Sequence, residues 1–116
     1  MSGKFDVVVI GAGPAGLQAA INAVRKKASV LVLGRPERSS LFKAHIENYL
    51  CVKGVNEGAE LLALGIDQIK SFGAKYAAED VLQLRVLRGR QIVDGHLTTV
   101  RAFSVNPIHQ RGLGST

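Results

Sequence analysis

A chain of 116 residues, 47% hydrophobic and 21% charged, has the size and composition of one globular domain, with material for a single core and not for two. A single Cys excludes an intramolecular disulfide, a Cys-x-x-C redox pair and a Cys-rich zinc site. The formal net charge is +6, but Arg25-Lys26-Lys27 is the only basic run and aromatic residues are sparse, so no nucleic-acid partner is expected.

The first predicted element is a strand over Phe5 to Ile10, a continuous β-branched run stopped by Gly11, as expected of a parallel strand buried on both faces. Asp6 interrupts its resemblance to a secretory signal, and no apolar stretch is long enough to span a bilayer, so the expectation is a cytoplasmic protein without a membrane partner. Leu17, Ala20, Ile21 and Val24 then recur at helical spacing and predict a helix over Pro14 to Lys27. Pro14 suits its first turn, and its last residues are basic, as the helix dipole favours. Ser29 to Leu33 reads as a second buried strand ended by Gly34. Strand, helix and strand make a right-handed parallel βαβ unit.

Arg35 to His45 reads as a polar connection over the sheet edge. Asn56 is a candidate cap for a second helix from Glu57 to about Phe72, with Leu61, Leu62, Ile66, Ile69 and Phe72 facing inward and Gly73 as its stop. Lys75 to Ala77 and Val81 to Leu87 read as strands. Asp94-Gly95, between Gln91-Ile92-Val93 and His96 to Val105, is a two-residue hairpin signal. The second half therefore predicts a helix followed by a small antiparallel layer, and Asn106 to Thr116 a loose tail.

Gly11-Ala12-Gly13-Pro14-Ala15-Gly16 is a G-x-G-x-x-G sequence that leaves a strand and opens a helix, the context that gives the pattern meaning. Gly11 permits the tight turn, Gly13 lets the backbone approach a pyrophosphate, and Gly16 lets helix and strand pack closely. Amides of the first helical turn, which have no acceptor within the helix, then face the phosphate oxygens. The ribose position departs from the pattern. An Asp or Glu is expected at the end of the second strand, where Leu33-Gly34-Arg35 stands instead. Glu37 is near enough in sequence to be a candidate for that contact, although a loop surface charge is the simpler reading. Arg35 and Arg38 are compatible with a 2′-phosphate, and hence with NADP.

The segment Phe5 to Gly16 closely resembles the N-terminal FAD fingerprint of flavoproteins with two dinucleotide-binding domains, and Ile46-Glu47-Asn48-Tyr49 is similar to a short motif of their thioredoxin-reductase-like branch. The resemblance covers about residues 4 to 86. It implies a Rossmann-like FAD/NAD(P)-binding α/β domain with a parallel sheet, belonging to a pyridine nucleotide-disulfide oxidoreductase that moves a hydride from NAD(P)H to flavin and onward to a disulfide or other acceptor. It implies that Gly11, Ala12, Gly13, Pro14, Ala15 and Gly16 hold the FAD pyrophosphate, with Pro14 near the flavin end. Further, it implies that the loop from Gly34 and Arg35 to Leu41 passes ribose and flavin, that Asn48 contacts the flavin side, and that the Val81 backbone meets adenine. Read from the residues alone, Asn48 is equally a turn residue bonding its own backbone.

Relative to that family the chain is incomplete. No second glycine fingerprint and no Cys-x-x-C follows, and Phe103-Ser104-Val105-Asn106-Pro107 stands where a late Ala-Thr-Gly is expected. From Leu87 onward the resemblance is expected to stop, which suggests a truncated or frame-shifted product, or a fragment. The resemblance implies that such a chain grips FAD and is expected to turn over only if a homodimer or a partner chain completes the site. Two other functions compete: a non-catalytic nucleotide-binding or interaction domain, and a small NADP-binding reductase domain using Arg35 and Arg38.

No residue reads as a catalytic acid, base or nucleophile. Cys51 follows the Asn48-Tyr49 motif, but with no second Cys to resolve a disulfide it reads as a half-buried structural thiol. His45, His96 and His109 share no metal-ligand spacing. Ser39 and Ser40 lack the G-x-S-x-G context. Glu57, Glu60 and Asp67, near Lys70, form a solvated helix face.

Overall fold

The computed structural model describes residues 2–106 apart from 49, 52, 55, 88, 89 and 96. Its first half is built from β1 (Ser2–Ile10), α1 (Pro14–Arg25) and β2 (Val30–Leu33), followed by a single 3-10 turn at Pro36–Arg38. A two-stranded ribbon of β3 (His45–Ile46) and β4 (Asn56–Glu57) leads into α2 (Gly58–Ser71). The chain then forms β5 (Lys75–Ala77), β6 (Val81–Leu87), β7 (Arg90–Gly95) and β8 (Thr99–Asn106).

Six strands form one sheet in the order β5-β2-β1-β8-β7-β6. The pairs β5–β2, β2–β1 and β1–β8 are parallel, whereas β8–β7 and β7–β6 are antiparallel. The expected α/β class holds, and the antiparallel strands continue the parallel sheet through β8. The mouths of β1 and β2 are tied by a reciprocal pair in which Asp6 N–H donates to Ser29 Oγ at 2.8 Å and Ser29 N–H to Asp6 Oδ2 at 2.9 Å.

Every residue of β2 is buried, which explains its unbroken apolar sequence. Val30 and Val32 join Val9, Leu17, Ala20, Leu62, Ile66 and Ile69 in a core between the sheet and the two helices. Leu31 and Leu33 join Phe5, Val8, Val93, Val100 and Ala102 in a second cluster, so the buried apolar residues divide into two clusters where the chain length predicts a single core. Burial of this kind contributes about 1.5 to 3 kcal/mol per large aliphatic side chain.

Several local expectations are corrected. α1 ends at Arg25, and Lys27 takes a left-handed turn at φ 68. Asn56 does not cap α2: it pairs with Ile46 in the ribbon and its Nδ2 donates to the Lys53 carbonyl at 2.9 Å, so Glu57 holds the cap position without a side-chain bond. Phe72 lies just past the last turn and is 41% exposed. Asp94-Gly95 is not the hairpin turn. Asp94 accepts from Arg85 and from Thr99 across both neighbouring strands, which extends β7 through Gly95, so that the connection to β8 begins only after it. Asn106 is the last residue of β8 and not part of a tail; the rest of the expected tail lies outside the described residues.

Candidate functional site: a cleft at the ends of three parallel strands

β1, β2 and β5 finish level with one another, Ile10 opposite Leu33 and Leu33 opposite Ala77. Ligands of open α/β sheets sit outside the carboxyl ends of the strands. Here those ends are stitched across, with Gly11 N–H donating to the Leu33 carbonyl at 2.7 Å and Gly34 N–H to the Ala77 carbonyl at 3.2 Å. An open cleft of about 400 Å³ results, lined by Ile10, Gly11, Ala12, Leu33, Gly34, Arg35, Arg38, Asp80 and Val81.

The glycine loop enters α1 with Gly13 at the cap position. The first intrahelical bond runs from Leu17 N–H to the Gly13 carbonyl at 3.0 Å, so the preceding amides of Ala15 and Gly16 have no acceptor in the helix. No acidic side chain lies in that first turn to neutralise the positive end of the dipole. A Cβ on Gly16 would run into the Gly11 carbonyl oxygen, so only glycine lets the helix seat this closely on the loop.

Gly34 explains the missing acid. Its φ is +157, and a Cβ there would stand 2.7 Å from the Ala12 amide nitrogen, so the close approach of the two turns leaves no room for an Asp or Glu at this position. The turn is further held by Tyr76, whose hydroxyl donates to the Gly34 carbonyl at 2.7 Å. Burial, reinforced by the charge of Glu37, pushes the Tyr76 phenol up to about 12. Lys70 lies over the Tyr76 ring, 5.7 Å from its centroid.

A carboxylate nevertheless reaches the cleft, from the connection between β5 and β6. Asp80 Oδ1 accepts from Arg35 Nε at 3.3 Å, and Oδ2 accepts from Arg35 at 2.7 Å and from Arg38 at 3.2 Å. Hydrogen bonding from Arg35 holds the Asp80 carboxyl below the usual Asp value, and the same bond raises the Arg35 guanidinium. Glu79 anchors the connection by accepting from Leu97 N–H at 2.8 Å and from the Thr98 hydroxyl. Neither Asp80 nor Tyr76 was singled out by sequence pattern. The available signal was position, since Asp80 follows the C-terminal end of the parallel strand beside β2. Glu37, the acid that follows Gly34 most closely in sequence, is exposed.

The predicted site residues thus fall into three groups. Gly11, Ala12, Gly34, Arg35 and Val81 line the cleft. Gly13, Ala15 and Gly16 form the cap and first turn of α1. Pro14 and Asn48 line a second groove of about 480 Å³, between α1, α2 and the loop before β3, where Leu17, Ile21, Leu41, Leu61, Leu62 and Leu64 make most of the wall. Tyr49, His96 and His109 lie outside the described residues.

Other candidates fall away. Cys51 is exposed rather than half-buried and sits in a left-handed turn at φ 72. Ser39 is buried and its Oγ accepts from Leu41 N–H, a local turn bond. Among the described residues no group of His, Cys, Asp or Glu could hold a metal ion, and no helix is long and apolar enough to cross a membrane.

Comparison with known proteins identifies the family. Its sequence pattern, described as pyridine nucleotide-disulphide oxidoreductase, matches residues 5–105, which corrects the expectation that the resemblance stops from Leu87 onward: the likeness continues through the β6–β8 strands. Thioredoxin reductase of Aquifex aeolicus is 44% identical over 80 residues, covering 67% of this chain and 25% of that protein. Its Bacillus subtilis counterpart is 33% identical over 93 residues, covering 78% and 27%. Among solved structures, a thioredoxin reductase from Gloeobacter violaceus superposes with a TM-score of 0.82 at 29% identity, covering 88% of this chain and 35% of that one. An atypical thioredoxin reductase from Desulfovibrio vulgaris Hildenborough gives 0.75 at 31%, covering 85% and 33%. The chain spans about a quarter to a third of the length of these relatives. With a glycine loop, a cleft at the strand ends and this breadth of likeness, the chain belongs to the pyridine nucleotide-disulphide oxidoreductase family, in its thioredoxin-reductase-like branch.

Proposed function

We propose that the chain is the FAD-gripping part of an NAD(P)H-dependent flavoprotein oxidoreductase of the thioredoxin-reductase type. The observation that carries this is the juncture of Gly11, Ala12 and Gly34, where two turns close so tightly that a side chain at Gly34 would fill the space beside the Ala12 amide. The residues present fit the dinucleotide. Free amides at the start of α1 suit its pyrophosphate, the cleft by Gly34, Asp80 and Val81 suits its adenosine, and the apolar groove by Pro14 and Asn48 suits the flatter, less polar flavin end.

When bound, the flavin supplies two-electron transfer between a nicotinamide and a disulfide or other acceptor. These residues bind and orient it. The amides of Ala15 and Gly16 meet the diphosphate charge, the Gly34 turn sets the adenosine direction, and the leucines of the groove keep water from the flavin. No acid or base in the chain is assigned a proton transfer, and no NAD(P)H or acceptor site is assigned to its residues.

The test is the absorbance spectrum of purified protein mixed with excess FAD and then desalted. A retained flavin band, lost on Gly13→Val, is the expected result. Protein that emerges colourless, with all FAD in the small-molecule fraction, contradicts the reading.

A further inference from the structure

We propose that Asp80 is the residue that reads the adenosine ribose, supplying from the β5–β6 connection the carboxylate that the end of β2 cannot carry, and that it thereby makes the site refuse a 2′-phosphate. The inference rests on the proposed binding of a dinucleotide in this cleft, and deepens it. In βαβ dinucleotide sites the ribose lies at the end of the second strand, where an acid accepts from its hydroxyls. Here that strand end is Leu33-Gly34, in a turn with no room for a side chain at Gly34, and Asp80 lines the same cleft.

The geometry accounts for both halves of the role. An ionised carboxylate offers about four acceptor positions, and Arg35 and Arg38 take three, leaving one on Oδ1 for a ribose hydroxyl. The two arginines that a 2′-phosphate would need are already turned onto Asp80, and Glu37 adds a further negative charge that is felt at Arg35. A phosphate arriving here has to displace a carboxylate that already holds Arg35 through two bonds in fork geometry and Arg38 through one. Arg35 and Arg38, which in sequence resemble an NADP signature, therefore serve the opposite preference.

The test compares ADP-ribose with 2′-phospho-ADP-ribose, which differ only in that phosphate, by calorimetric titration of the whole chain, with FAD titrated in parallel. Wild type is expected to bind ADP-ribose the more tightly. In Asp80→Asn, which keeps the size of the side chain but frees both arginines, the ratio of the two affinities shifts toward the 2′-phosphate by about tenfold or more. Adding Arg38→Ala to that variant removes part of the gain. Arg35→Ala, with Asp80 left in place, retains the ADP-ribose preference and is the variant to rely on if Asp80→Asn fails to fold. Wild type that binds FAD and ADP-ribose, with a ratio unmoved by Asp80→Asn or reversed by Arg35→Ala, overturns the role of Asp80 while leaving the FAD reading intact. Wild type that binds neither FAD nor ADP-ribose overturns both.

Discussion

The two depressions that flank the glycine loop are built on different principles. The cleft at the strand ends is held by directed bonds: the Gly34 turn is fixed to Ala77 through the backbone and to Tyr76 through its hydroxyl, and the wall is completed by Asp80 and its arginines. The groove between α1 and α2 is held by packing, with Leu62 fully buried at its base and Leu64 65% exposed at its rim. A hydrogen-bonded cleft discriminates one polar ligand from another, because a buried polar group left unpaired is costly. An apolar groove contributes area and tolerates variation. The dinucleotide proposed to bind here has the same asymmetry, a polar adenylate joined to a broad ring system, and Pro14 lines the apolar groove.

That contrast can be broken from either side. Leu62→Ala empties the base of the groove and also the helix-side core, so it is expected to have the largest effect, lowering stability by about 2 to 5 kcal/mol in denaturant unfolding. Where the variant still folds it should weaken FAD while leaving ADP-ribose unchanged. Gly34→Val strikes the cleft. Forcing a β-branched residue to φ +157 beside the Ala12 amide is expected to cost about 1 to 3 kcal/mol and to abolish binding of FAD and ADP-ribose alike.

Tyr76→Phe is milder, at about 0.5 to 1.5 kcal/mol for the bond to Gly34. It also has a pH signature. Because the folded phenol is raised from 10.0 to about 12, the unfolded chain ionises first; this share of stability is whole below pH 10 and is lost as pH rises toward 12. Replacing the phenol should flatten that alkaline decline, and an unchanged decline would place its origin elsewhere. Asp80 works in the other direction, since its carboxyl is held below the usual 3.8: the contribution of its ion pairs persists through neutral pH and is lost only as acid protonates it. Smallest of all, Leu64→Gln at the groove rim should alter stability by about 0.5 kcal/mol or less, yet weaken FAD relative to ADP-ribose.

What could be read from the sequence was what the chain decides locally. Phe5 to Leu33 declares a strand, a glycine turn, a helix and a strand within one short stretch, and the structure reproduces each of them. Asp80 could not be read in this way, because its partner Arg35 lies 45 positions away and the pair exists only once β5 has docked beside β2. The Asp94-Gly95 turn signal failed for a related reason, as Arg85 and Thr99 recruit Asp94 into the sheet from strands on both sides. Asn56 gave way to the β3–β4 ribbon, a pairing too short to leave a periodic trace. Gly34 is the instructive case. Read alone it is the absence of an acid, and only the approach of Ala12 shows why no acid can stand there.

Binding of a dinucleotide across the glycine loop, with adenosine on the Gly34 side and flavin on the Pro14 side, is tested most directly by amide chemical-shift mapping with ADP and with FAD. ADP is expected to move the amides of Ala12, Gly34, Arg35 and Val81 and to leave those of Gln18, Leu41, Asn48 and Gly65 in place, whereas FAD should move both sets. ADP shifts confined to the second set, or a response to FAD that spares Ala12 and Gly34, would contradict this placement.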